Sequence, residues 1–321
     1  MGRTETFEGR LERRQHTLAD KIRLTSCPLI RACLAEFCGT AILVIFGCGV
    51  LAQTFLGDHG KQAHGSFLSV SLGWGFAVYM GVFFSGRGGS GHINPAVTLA
   101  FSVIGKFPLR RVPIYTLCQV VGGFVGALAV YGVYHEKIFE YAGKYENGSL
   151  IVKTTGGIFV TNPGASHLTC FLDQVLGTAL LTAGALAICD PNGWKLPEYL
   201  HPLHLGLLVY ALVGCFALNA GCALNPARDL GPRLMLLVCG WGGSAFTAGN
   251  YFFWIPILGP YIGGLIGAIL YELTVGIHLD HRPVTPSPTT VNTSATGDQR
   301  YQDMETSVEG KAGSHLLTKG L

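Results

Sequence analysis

Six long apolar runs govern what this chain can fold into. They lie at roughly Ala32–Phe55, Ser66–Phe84, Pro113–Tyr134, Cys170–Cys189, Leu203–Gly221 and Phe252–Ile277. Each is close to the ~20 residues a helix needs to cross a hydrocarbon core of about 30 Å. Within such a core every backbone N–H and C=O must be paired inside the protein, which leaves helices or closed barrels. Barrel strands are about half this length and alternate in polarity. The runs therefore predict an all-α polytopic membrane protein with six transmembrane helices. The charges agree. Only 13% of the 321 residues are charged, against the ~25% usual in a soluble domain. Of the 41 charged side chains, 20 fall in residues 1–31 and 278–321. That pattern excludes a soluble enzyme with an ordinary polar surface. A net charge of +3 also supplies no basic face for nucleic acid.

Six crossings put both termini on one side, and the bias of Lys and Arg towards the inner face says which. The N-terminal segment carries Arg3, Arg10, Arg13, Arg14, Lys21, Arg23 and Arg31, and the connection after the second run adds Arg87, Lys106, Arg110 and Arg111. The opposite side holds Lys61, and its second connection, 135–169, balances three Lys with three Glu. Both termini are expected in the cytoplasm and the protein in the plasma membrane, in contact with lipid. The expected division is a cytoplasmic segment 1–27, a membrane domain 28–280 and a tail 281–321. The tail, rich in Pro, Thr, Ser and Gly, is expected to be disordered. Asn147-Gly148-Ser149 is a glycosylation acceptor in the loop assigned outside. No nucleophile–base set or metal-ligand spacing stands out, so no catalytic residue, metal or cofactor is expected.

The membrane domain repeats. Glu36-Phe37-Cys38-Gly39-Thr40 opens one unit and Gln174-Val175-Leu176-Gly177-Thr178 opens another, and each leads to the same tripeptide, Asn94-Pro95-Ala96 and Asn225-Pro226-Ala227. Three spans per unit (about 28–134 and 170–280) mean that the second is inverted. Inverted repeats place functional sites at the midplane between the halves. Asn-Pro is a helix-start signature, with Asn as cap and Pro in the first turn. The apolar segment after the first box, ending near Ile104, is too short to span. Two half-helices are thus predicted, entering from opposite faces. Their N-termini, each with roughly half a positive charge, meet at the centre. Irregular backbone at that depth needs a water-filled cavity.

The paired Asn-Pro-Ala boxes, the Glu36 and Gln174 openings and Asn225-Pro226-Ala227-Arg228-Asp229 resemble the major intrinsic proteins, or aquaporins, over about residues 28–280. The resemblance implies six helices plus two half-helices per subunit, one pore in each, and a homotetramer. It implies that Asn94 and Asn225 donate to solute at the midplane and that Arg228 forms the outer constriction. Trp74, 20 residues before Asn94, matches the aromatic filter position, and Cys222, three before Asn225, matches another. The small filter position falls on Val213 or Gly214. Water-selective members carry a His in that stretch, and here none is present. Asp229 is typical of the glycerol-conducting subfamily. Glu36, Gln174 and Asp229 are expected to support the half-helices. Two departures bear on pore geometry: Gly89-Ser90-Gly91-His92 stands where Ser-Gly-Ala-His is usual, and one residue is missing between Gly214 and Asn225. The expected activity is passive conduction of glycerol, water and other small uncharged solutes such as urea. The alternatives are a water-selective pore and an ion-coupled transporter.

Overall fold

The computed structural model of the protein describes Asp20, Arg23 and residues 26–57 and 64–279. The chain divides after Asp280. The tail expected to be disordered lies outside the described residues, as do Lys61 and most of the N-terminal segment. The described elements are helical: α1 (Pro28–Leu56), α2 (Phe67–Ser85), α3 (Pro95–Val103), α4 (Val112–Tyr145), α5 (His167–Cys189), α6 (His201–Ala220), α7 (Pro226–Val238), α8 (Ser244–Tyr251, broken at Ala248–Asn250) and α9 (Ile255–Tyr271). A single π-helical turn, Glu272–Gly276, extends α9. Six stretches are long and apolar enough to cross a membrane: α1, α2, Leu109–Tyr145, α5, Glu198–Ala220 and Ser244–Leu279. Proline starts most of the helices. It stands in the first turn of α1, α3, α4, α6, α7 and α9, where its missing N–H has no intrahelical partner to lose.

One boundary differs from the sequence reading. The third span does not stop near Tyr134, and the outer connection is not all loop from 135 to 169. Helix α4 runs on to Tyr145. Residues 135–145 end the apolar run because of their charges, yet they keep a helical face. Ile138 and Ala142 are fully buried, Lys137 and Glu140 pair across one turn at 2.8 Å, and aromatic rings meet edge-on at 5.4 Å (Tyr131–His135) and tilted at 4.6 Å (His135–Phe139).

Packing follows the repeat. Helix α1 packs on α2 and α4, and α5 packs on α6 and α9; α4 touches half-helix α7, and α9 touches half-helix α3; α2 meets α6 and α3 meets α7. Exchanging α1, α2, α3 and α4 for α5, α6, α7 and α9 maps this set of contacts onto itself. Glycines allow the closest of them. A Cβ at Gly122 would lie 2.3 Å from the Phe37 carbonyl oxygen, and one at Gly263 would lie 2.2 Å from that of Val175. Gly126 and Gly267 stand one turn further on, 2.5 Å from the Ala41 oxygen and 2.1 Å from the Ala179 oxygen by the same measure. Such small-residue spacing lets helix backbones approach where lipid offers no hydrophobic drive.

Candidate functional site: a pore and its filter

Both boxes cap their half-helices. Asn94 Oδ1 accepts from Ala96 N at 2.9 Å, and Asn225 Oδ1 accepts from Ala227 N at 3.0 Å and Arg228 N at 3.2 Å. The amide nitrogens reach across the midplane. Asn94 Nδ2 donates to the Leu224 carbonyl at 2.9 Å, and Asn225 Nδ2 donates to the Ile93 carbonyl at 2.8 Å. Each asparagine thus holds the residue that precedes the other. Ile93 and Leu224 have φ of 44° and 50°, a left-handed conformation that costs non-glycine residues about 1–3 kcal/mol. The reciprocal bonds offset it.

The residues expected as supports stand behind these turns. Fully buried Glu36 accepts from Ser90 N and His92 N on Oε1 at 3.2 and 3.0 Å, and from Ile93 N and Gln119 Nε2 on Oε2 at 2.7 and 2.8 Å. Gln174 Oε1 accepts from Leu224 N at 3.0 Å. Four donors converge on the position that is acidic, and the position with one named donor is a neutral amide. The unusual Gly89-Ser90-Gly91-His92 turn fits this arrangement: Gly91 has φ 66°, and a Cβ at Gly89 would lie 3.1 Å from the Ala32 oxygen of α1.

Arg228 is 3% exposed. Its guanidinium carbon lies 4.2 Å from the centroid of the Trp74 ring, within cation–π range. Its Nη1 donates to the Phe159 carbonyl at 2.9 Å. Asp229 turns away from it and accepts from Thr161 N and Oγ1 at 2.8 and 2.6 Å and from Arg233 Nε. Arg233, 1% exposed, also donates to the Ala245 and Thr161 carbonyls at 2.8 and 2.6 Å.

A cavity of about 1120 Å³ runs along this site, lined by Asn94, Asn225, Arg228, Trp74, Val213 and Cys222. It opens towards the turn at 86–92 and residues 198–202. Of the two candidates for the small filter position, Val213 lines the cavity. Gly214, the other candidate, does not: it is exposed, off the cavity, and a Cβ there would meet nothing within 4 Å. Pro95, Ala96, Pro226 and Ala227 are buried off the cavity. The two alanine carbonyls instead face Gly264 and Gly123. Asn147 is exposed at the turn after α4, with φ 53°. Sequence reasoning missed Arg233, Phe159 and Thr161. The i,i+4 spacing of Asp229 and Arg233 was a usable signal; the other two gave none.

Half-helices that fasten each other across an open cavity, between six spanning helices, define a transmembrane channel. The chain belongs to the major intrinsic protein family, whose sequence profile matches residues 23–271. It is 37% identical to Aquaporin-9 of Homo sapiens over 285 residues, covering 87% of this chain and 92% of that relative. It is 39% identical to Aquaporin-10 of Homo sapiens over 266 residues, covering 81% and 85%. The X-ray structure of the aquaglyceroporin from Plasmodium falciparum superposes with a TM-score of 0.69 at 30% identity, covering 78% of this chain and 99% of that one. The protein is a multi-pass membrane protein of a family of channels.

Proposed function

We propose that the protein passively conducts glycerol, water and other small uncharged solutes such as urea. The carrying observation is the filter: Arg228 lies over the face of Trp74, with Val213 and Cys222 completing the wall. Guanidinium N–H groups left over from the Phe159 bond can donate to hydroxyls or a urea oxygen. The indole and the two small side chains meet the carbon backbone. Val213 stands where a water-selective pore would carry a His. At the midplane each box asparagine has one N–H committed to a carbonyl and a second one for solute. Paired helix N-termini and the Arg228 charge oppose cations. Among the described cavity residues the one carboxylate is Glu198, at the mouth, which leaves an ion-coupled transporter without a carrier group in the path.

The relatives' names, Aquaporin-9 and Aquaporin-10, and the aquaglyceroporin title of the structural neighbour support this reading. The Lys and Arg distribution supports cytoplasmic termini, which leaves the Asn147-Gly148-Ser149 acceptor outside, where we place a glycan; the family resemblance supports a plasma-membrane homotetramer with a pore in each subunit. Stopped-flow light scattering on vesicles tests the solute range. Glycerol and water permeabilities well above those of empty vesicles are expected. Water flux without glycerol flux, or saturable uphill uptake, would overturn the reading.

A further inference from the structure

Arg228 is a selective element only while its guanidinium stays on Trp74, and its hydrogen-bond anchor is a carbonyl from 69 residues away. The Phe159 oxygen comes from the connection between the halves, where residues 155–158 form one 3₁₀ turn. Phe159 N and Val160 N bond back to the Gly156 carbonyl at 2.9 and 3.1 Å. On its far side the segment is held by Asp229 and Arg233 through Thr161. On its near side it rests on Trp241, which is not among the cavity residues.

The indole of Trp241 is 4% exposed. Its ring stands nearly perpendicular to those of Phe159 and of Tyr131 in α4, with centroids 5.9 and 5.8 Å away. Its Nε1–H donates to Thr155 Oγ1 at 3.3 Å, and Thr155 in turn donates to the Ile151 carbonyl at 3.2 Å. A Cβ at Gly156 would lie 3.2 Å from that Nε1, so the turn sits flush against the indole. Two glycines in left-handed conformation, Gly240 at φ 118° and Gly242 at φ 60°, present the residue.

We propose that Trp241 is a positioning residue for the filter: through Thr155 and Phe159 it fixes where the Arg228 guanidinium stands, and thereby sets the ratio of glycerol to water permeability. This inference rests on the conducting role assigned to Arg228 above. A swollen or shifted 155–159 turn withdraws the Phe159 carbonyl. The guanidinium then seeks an acceptor in the lumen, where it obstructs a polyol more than a water molecule.

The test uses the full chain in vesicles, with permeabilities normalised to the amount of reconstituted protein. Trp241→Phe keeps a ring and removes the N–H; Thr155→Val keeps the shape and removes the acceptor together with the bond to the Ile151 carbonyl. Each is expected to lower the glycerol-to-water ratio by about fivefold, the equilibrium weight of one neutral hydrogen bond. The double variant is expected to fall no lower than Thr155→Val alone, because the link that Trp241→Phe removes is already gone there. An unchanged ratio in either single variant, or additive effects in the double, would overturn the proposal. Failure of the underlying reading looks different: the unmodified protein itself would pass no glycerol.

Discussion

Arg228 and Arg233 stand five residues apart in one half-helix and are put to opposite uses. A buried arginine at membrane depth costs about 2.5–3.5 kcal/mol on an insertion scale, so each must be justified by its partners. Arg233 has every neighbour it needs in Asp229, Thr161 and Ala245. Its charge is silenced. Arg228 has one carbonyl and an indole face, which in the proposed reading leaves N–H groups for solute and a charge to oppose cations. Replacing Arg228→Val is therefore expected to raise proton leak, read from a pH-sensitive dye inside vesicles; an unchanged leak would contradict the filter role. Asp229→Ala should act on stability instead, because removing one member of a buried pair strands the other at a cost of about 3–5 kcal/mol. The expected readout is a lower melting temperature in detergent. Arg228 was legible in the sequence because it follows a box. Whether a nearby charge is used or neutralised was not, since the Phe159 and Thr161 carbonyls arrive on a segment some 70 residues earlier that has no local pattern of its own.

Elements were legible where apolar length alone decides them and obscure where packing does. The six spans and both half-helices are readable from apolar runs and Asn-Pro starts. The extension of α4 to Tyr145 is not, because its buried Ile138 and Ala142 sit among charges. The clearest overlooked signal is a second repeat: Val121-Gly122-Gly123-Phe124-Val125-Gly126-Ala127 in α4 and Ile262-Gly263-Gly264-Leu265-Ile266-Gly267-Ala268 in α9. In each, the first and third glycines meet a neighbouring spanning helix and the middle one meets the box alanine. These glycines carry a direct prediction. Gly267→Val sets a side chain within 2.1 Å of the Ala179 oxygen, so it should separate α5 from α9 and sharply reduce the yield of folded protein by size-exclusion chromatography. Gly132→Ala, where nothing lies within 4 Å, should leave that yield unchanged.

At the scale of the molecule, large apolar side chains stand exposed along the spanning helices. Leu218 is 90% exposed, Val133 79% and Leu168 69%, as a bilayer neighbour or a second subunit would allow. Native mass spectrometry in detergent is expected to show four copies per particle; a monomer would contradict the assembly assigned above. The inverted duplication was readable from two tripeptides, but its physical purpose was not. That purpose lies in the exchange of bonds between Asn94 and Leu224 and between Asn225 and Ile93. During synthesis the first half leaves the ribosome 130 residues before its counterpart. Until then Asn94 has no carbonyl to hold, and Ile93 has no amide to secure its left-handed turn. The two turns can therefore be fastened only after the second box has been made, so the last part of the pore lining to be fixed waits on the last third of the chain.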